Sequence, residues 1–157
     1  MEKQLLQQNG NTSRWDIVIG ITLLGVFLSA SAQAAVFTVN SPVDVSDASP
    51  GNGVCETAPG NRVCTLRAAI EGANAQPDAD EIILPPNTYL LTQLNELIIT
   101  NLTITGGGPS TTIIDGNKSI RPDSGVLKTN TGAIVNISGI TIRNGGRAGS
   151  GDGGGIA

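Results

Sequence analysis

The chain has no histidine, and only two cysteines, one tryptophan, one tyrosine and two phenylalanines occur among its 157 residues. Without histidine it holds no Ser-His-Asp triad, no Cys-His pair and no His-ligated zinc. Trp15 and Phe27 fall early, so Phe37 and Tyr89 are the only aromatics beyond residue 34. Any core formed after that point is aliphatic. Charge is sparse as well: Lys and Arg number 9, Asp and Glu 13, for a net charge of −4. The basic residues are scattered rather than clustered, which argues against nucleic acid as a partner. Long apolar runs are missing too. The one run present, Ile17 to Ala30, is shorter than the roughly 20 residues a spanning helix needs.

That run is followed by Ala32-Gln33-Ala34, the small-x-small pattern of a secretory cleavage site. Residues 1–34 therefore read as a cleaved signal peptide, with an uncleaved membrane anchor as the alternative. The segment before the run carries Glu2, Lys3, Arg14 and Asp16, so it lacks the usual positive charge. Its removal leaves the net charge at −4. The expected location is secreted or at the cell surface. In an exported chain the two cysteines, Cys55 and Cys64, read first as a disulfide and second as free thiols. Closing so short a loop stabilises a fold by roughly 2–3 kcal/mol on the chain-entropy model.

What the chain does contain is one amphipathic helix, expected over 65–76. Leu66, Ala69, Ile70 and Ala73 fall at i, i+3, i+4 and i+7 and form one apolar stripe. Arg67, Glu71 and Asn74 lie on the other side. Thr65 suits the N-cap, and Pro77 ends the helix because the residue before a proline is pushed out of the α region. Gly72 costs about 1 kcal/mol relative to Ala, so packing has to hold the helix in place.

The stretch Cys64-Thr65-Leu66-Arg67-Ala68-Ala69-Ile70-Glu71-Gly72-Ala73-Asn74 resembles the CSLREA domain, with Thr65 for Ser and Ala68-Ala69 for Glu-Ala. The likeness extends over residues 36–145. It takes in Pro50-Gly51-Asn52-Gly53-Val54-Cys55 before the motif and Asp80-Glu81-Ile82-Ile83-Leu84-Pro85-Pro86-Asn87-Thr88-Tyr89 after it. The resemblance implies a short module at the N-terminus of secreted bacterial proteins, ahead of parallel β-helix repeats. It says little about activity.

After the helix the chain reads as short strands and turns. Leu97–Gly107 can be laid over Val135–Gly145, with Leu102/Ile140, Thr103/Thr141 and Ile104/Ile142 matching at a constant offset of 38 residues. Each copy is strand, corner, strand, with Leu97, Ile99, Leu102, Ile104, Ile140 and Ile142 inward. Two further β runs, Thr112-Ile113-Ile114 and Val126-Leu127-Lys128, lie between the copies. Short strands, tight corners and a fixed period indicate a solenoid. The expected fold is mainly β, the start of a right-handed single-stranded parallel β-helix with the helix as an N-terminal cap. Asn101, Asn117 and Asn136 are expected to hydrogen-bond at its corners. The alternative is an antiparallel β-sandwich, for which only Asp115-Gly116 and Asn144-Gly145 offer hairpin turns.

Chemistry is thinly signalled. Glycoside hydrolysis needs two carboxylates about 5–10 Å apart across the substrate. Asp78, Asp80, Glu81, Glu96, Asp115 and Asp123 are the candidates, but none is paired at a telling spacing and most sit at turns. Arg67, Arg121 and Arg143 show no clustering that would serve a lyase. No catalytic residue is assigned. Asp44, Asp47 and Asn52 lie in an oxygen-rich loop and are candidate calcium ligands, against the plainer reading of solvated turns. No other cofactor is expected.

The expected organisation is a signal peptide over 1–34, a CSLREA-like cap over 35–77, first β-helix coils over 78–147, and a Gly-rich end over 148–157. That end leads towards further coils in the family the chain resembles. The expected function is a non-catalytic surface or secreted module, the cap and first coils of an adhesin-like or scaffold protein. Its expected partners are downstream coils of a longer protein and a host or environmental glycan or protein surface. The alternative is the front of a polysaccharide lyase or glycoside hydrolase whose catalytic coils lie elsewhere.

Overall fold

The structure, a computed structural model, describes residues 34–76 and 78–146. Residues 1–33, Pro77 and 147–157 lie outside it. With them fall the leader, the proline stop and the Gly-rich end. Among the described residues, no helix is long and apolar enough to cross a membrane.

The described residues form one helix and nine short strands. β1 (Val36–Thr38) precedes the helix α1 (Leu66–Asn74), and β2 (Asp80–Leu84), β3 (Asn87–Leu90) and β4 (Leu97–Ile99) follow it. β5 (Leu102–Gly106), β6 (Thr112–Asp115), β7 (Leu127–Thr129), β8 (Val135–Ser138) and β9 (Thr141–Arg143) complete the set. They form three parallel sheets: β1-β2-β5-β8, β3-β6-β9 and β4-β7. From β2 onward the chain visits the first sheet, the second and the third, and repeats that order. Every strand pairing is parallel, so the antiparallel sandwich is excluded. From β2 onward consecutive strands belong to different sheets, and β1 pairs with β2 in parallel across the helix, so no hairpin is left to close. Asp115-Gly116 and Asn144-Gly145 are accordingly stacked corners, with the Gly116 N–H donating to the Arg143 carbonyl at 2.8 Å.

The 38-residue repeat does not survive in the register. Leu102 stands beside Val135 and Ile104 beside Ile137, while Ile142 stands beside Ile114. The two doublets look alike because both are strand, corner, strand, but they turn different corners. β4–β5 joins the third sheet to the first, whereas β8–β9 joins the first to the second. Nor is the spacing fixed. It is 22 residues from Asp80 to Leu102 and 33 from Leu102 to Val135, because the connecting corners differ in length.

Alternation along each strand sends one face into a single core, aliphatic as expected except for Phe37 and Tyr89, which are both buried in it. Ile82, Leu84, Leu97, Ile99, Leu102, Ile104, Ile114 and Leu127 are at most 1 % exposed. Val135, Ile137, Ile140 and Ile142, in the last circuit, pack on this core but are only partly buried. Gly106 and Gly139 meet where two circuits stack. A Cβ on Gly106 would lie 2.3 Å from the Gly139 carbonyl oxygen, and Gly139 itself has φ +65°. Only glycine suits either place. Asn101 and Asn117 serve corners as expected, accepting from the Ile134 N–H and donating to the Leu91 carbonyl. Asn136 instead lies in mid-strand on the exposed side of β8.

Candidate functional site

Among the described residues, the segment from Val39 to Gln76 builds the one part that is not strand and corner. Its anchor is the disulfide between Cys55 and Cys64, whose Cα atoms are 5.1 Å apart. Cys64 is then tied to the chain leaving β1. Its carbonyl accepts from the Asn40 and Ser41 N–H groups, and its own N–H donates to Asn40 Oδ1. Thr65 is the N-cap: its hydroxyl accepts from the Ala68 N–H at 3.1 Å and donates to the Val45 carbonyl. The helix ends at Asn74 rather than Gln76, with Ala75 as C-cap. A three-residue contact from Gln76 N–H to the Ala73 carbonyl closes its last turn.

Leu66, Ala69, Ile70 and Ala73 are all buried and belong to the same core as the strands, packing on β1, β2 and β4. Arg67, on the other side of the helix, is buried as well, at 4 % exposure. Its Nε and Nη2 donate to the two Asp44 carboxylate oxygens at 2.6 and 3.1 Å, and Nη2 also reaches the Asn95 carbonyl at 3.2 Å. Asp44 in turn accepts the Thr92 and Gln93 backbone N–H groups at 2.7 and 2.8 Å. Burial alone would raise the Asp44 carboxyl, but Arg67 and those two N–H groups outweigh it and hold the pKa below its ordinary value. One carboxylate thus links the loop after β1, the helix and the stretch between β3 and β4. Side-chain periodicity places Arg67 correctly on the wheel. It carries no sign of a carboxylate arriving from 23 residues earlier.

A second arginine meets the first. Arg121, 1 % exposed, donates from Nη2 to the same Asn95 carbonyl at 2.9 Å and from Nη1 to the Gly116 carbonyl at 3.0 Å. Burial lowers its pKa, Arg67 lowers it further, and Asp44 and Glu96 pull the other way. The scattered arginines of the sequence therefore include a pair that converges on one carbonyl. Asn74 completes the join on the other side of α1. It donates to the Ile98 carbonyl at 2.6 Å and accepts from the Thr100 N–H and hydroxyl.

Between helix and strands lies a cleft of about 350 Å³ lined in part by Arg67, Glu71, Asn74, Gln93 and Glu96. A neighbouring cleft of about 370 Å³ is lined by Glu96, Asp123, Ser124 and Lys128 among others. Of the carboxylates considered for hydrolysis, Glu96 and Asp123 share this second cleft. Asp80, Glu81, Asp115 and Glu96 itself are bound into the fold. Asp115 accepts from Arg143 Nε, from Asn144 and from the Asn117 N–H. Burial would raise its pKa, but these partners reverse the effect and lower it. Glu81 accepts from the Thr105 hydroxyl, and Glu96 from the Gly125 N–H. Asp80 is buried beside Ala35.

The candidate calcium ligands have other partners. Asp44 is in the arginine clamp, Asp47 Oδ1 accepts the Ser49 N–H, and Asn52 Oδ1 accepts the Val54 N–H. Asp47 Oδ2 is buried without a hydrogen-bond partner, near Gly72 and Phe37. Among the described residues, no group of three or more His, Cys, Asp or Glu is placed to hold a metal ion. Comparison with protein-family models, with curated proteins and with solved structures finds no match to this chain.

Proposed function

We propose that this chain is the capped front of a right-handed parallel β-helix and works as a non-catalytic secreted or cell-surface module of the CSLREA type. The observation that carries the reading is an asymmetry between the two ends of one core. At the β1 end, a helix stapled by Cys55–Cys64 and clamped by Arg67–Asp44 covers the first apolar rows. At the β8–β9 end, Val135, Ile137, Ile140 and Ile142 remain half-covered. A solenoid needs a cap wherever its stacking begins and another circuit wherever it continues. The disulfide fits an oxidising location outside the cytoplasm. Right-handedness is the rule for parallel strands joined by crossovers within one sheet. Calcium at Asp47 and Asn52 belongs to this proposal only as a loop-tightening ion.

Sequencing the genomic region that follows the codon for Ala157 tests the reading. Further Gly-Gly-Gly-Ile-type circuits ending in a surface anchor support it; an immediate stop codon overturns it. The second reading, the front of a carbohydrate-active enzyme, is favoured by one observation, the shared cleft of Glu96 and Asp123. It predicts release of reducing ends from polysaccharide by a protein that carries the downstream, catalytic coils, weakened in KM rather than abolished by Glu96→Gln or Asp123→Asn.

A further inference from the structure

Asp80, with Asp47 and Arg121, is one of three buried charged side chains that keep an atom without a hydrogen-bond partner. It opens β2 at 1 % exposure. Its Oδ1 accepts one hydrogen bond, from the Ala35 backbone nitrogen at 2.7 Å, and its Oδ2 is buried with no partner. The only ion pairs among the described residues are Arg67–Asp44 and Arg143–Asp115, so no side-chain cation answers it. A buried carboxylate with half its acceptor capacity empty is costly unless something charged faces it.

Among the described residues, the groups around it supply no cation. β1 and β5, its neighbours in the sheet, contribute no ionisable residue. The helix packed on β2 carries Arg67, committed to Asp44, and Glu71, which accepts the Asp47 N–H. Asp78 and Glu81 flank Asp80 in the chain and are of the same sign. What does face Asp80 is the nitrogen of Ala35, the residue that follows the Ala32-Gln33-Ala34 pattern. Ala35 is fixed there from both sides, because its carbonyl accepts the Glu81 N–H at 2.9 Å.

We propose that Ala35 is the mature N-terminus and that its α-ammonium group is the charge partner of Asp80, so that leader removal completes the first sheet. The proposal rests on the export reading of residues 1–34. In the cleavage the Ala34–Ala35 C–N bond breaks. Water gives its hydroxyl to the Ala34 carbonyl carbon and its hydrogen to the Ala35 nitrogen. A further proton from solvent makes that nitrogen an ammonium at neutral pH. One amide proton becomes three, with a full positive charge. A charge-assisted bond is short, about 2.7–2.9 Å for nitrogen to carboxylate oxygen, and roughly twice as strong as a neutral one. In the unprocessed chain the same carboxylate keeps one neutral donor and an orphaned oxygen. β1 is then seated on an uncompensated charge, and processing turns that defect into an anchor.

The test compares exported, oxidised proteins beginning at Ala35 and at Gln33, each with Asp80 and with Asp80→Asn. Intact mass gives the natural cleavage position, and denaturant unfolding near pH 6.5 gives relative stability. The Ala35 form should have an unfolding constant about tenfold smaller than the Gln33 form, close to 1.4 kcal/mol. Asp80→Asn should remove that advantage, destabilising the Ala35 form and leaving the Gln33 form equal or better. An α-amine gaining a carboxylate has a raised folded pKa. The advantage is therefore complete below the unfolded value of about 7.7–8.0 and fades as pH rises through the folded one. Should Asp80→Asn fail to fold, the titration of the Ala35 α-amine in the unsubstituted protein still decides, a raised value supporting the pair. Natural cleavage at another bond overturns the proposal through the export reading. Cleavage after Ala34 with equal stabilities and an ordinary α-amine overturns it on its own.

Discussion

At the scale of single residues, the helix is held by polar contacts as much as by its apolar stripe. Asp44 gives four of them, two to Arg67 and two to the backbone of Thr92 and Gln93. Asp44→Ala would leave a guanidinium buried beside the core, and breaking one side of such a pair costs about 3–5 kcal/mol. Urea unfolding at neutral pH is the measurement, and a loss below about 1 kcal/mol would show the pair to be solvated. The same carboxylate gives the fold an acid limit. Its folded pKa lies below the unfolded value of about 3.9, so its contribution is complete above that value. It is lost as pH falls through the folded one, and Asp115 acts in the same direction. Gly72 gives the opposite kind of change. A Cβ there would meet Asp47 Oδ2 and Phe37 at no less than 3.6 Å, ordinary contact, and its backbone is helical. Gly72→Ala should therefore raise stability by about 0.5–1 kcal/mol in the same unfolding experiment.

At the scale of elements, the strands and the helix were legible because each carries its own period. Leu66, Ala69, Ile70 and Ala73 mark a helical stripe. Inward Leu97 and Ile99 flank an outward Ile98, and both patterns appear in the burial. The register was not legible. Leu102 pairs with Val135 because of corner lengths and of the Gly106–Gly139 contact, neither of which leaves a periodic trace. The arginine clamp escaped for a similar reason: it joins Asp44, Asn95 and Arg121 from three separate loops to Arg67 on one helix face. The helix itself is open to a direct test. Leu66→Asp or Ile70→Asp would place a carboxylate against aliphatic strands with no cation to meet it, beyond the loss of a buried side chain worth about 2–5 kcal/mol. The expected outcome is aggregation or loss of a cooperative melt. A monomeric variant with an unchanged melting temperature would mean that α1 does not cover the core.

At the scale of the whole molecule, the two ends of the core make opposite demands on the chain. On the proposed β-helix reading, circuits are stable only against neighbours, and about three are needed. Sheet by sheet, the strands β2–β4, β5–β7 and β8–β9 amount to two full circuits and part of a third. The cap, the disulfide and the Arg67–Asp44 clamp all act on the first of these. The last has Val135, Ile137, Ile140 and Ile142 half-covered, and among the described residues β8 and β9 are each the last strand of their sheet. A strand at a sheet edge is a template for pairing with a second copy. A protein spanning Ala35 to Ala157 should therefore be marginally stable and should associate through its β8–β9 end. Light scattering should show mass rising with concentration. Ile137→Lys, a charge on the half-covered row, should suppress that rise while leaving the disulfide and helix signals intact. A monomer with a sharp, concentration-independent melt would show that these circuits close a core by themselves. The reading of the chain as the front of a longer stack would then fail.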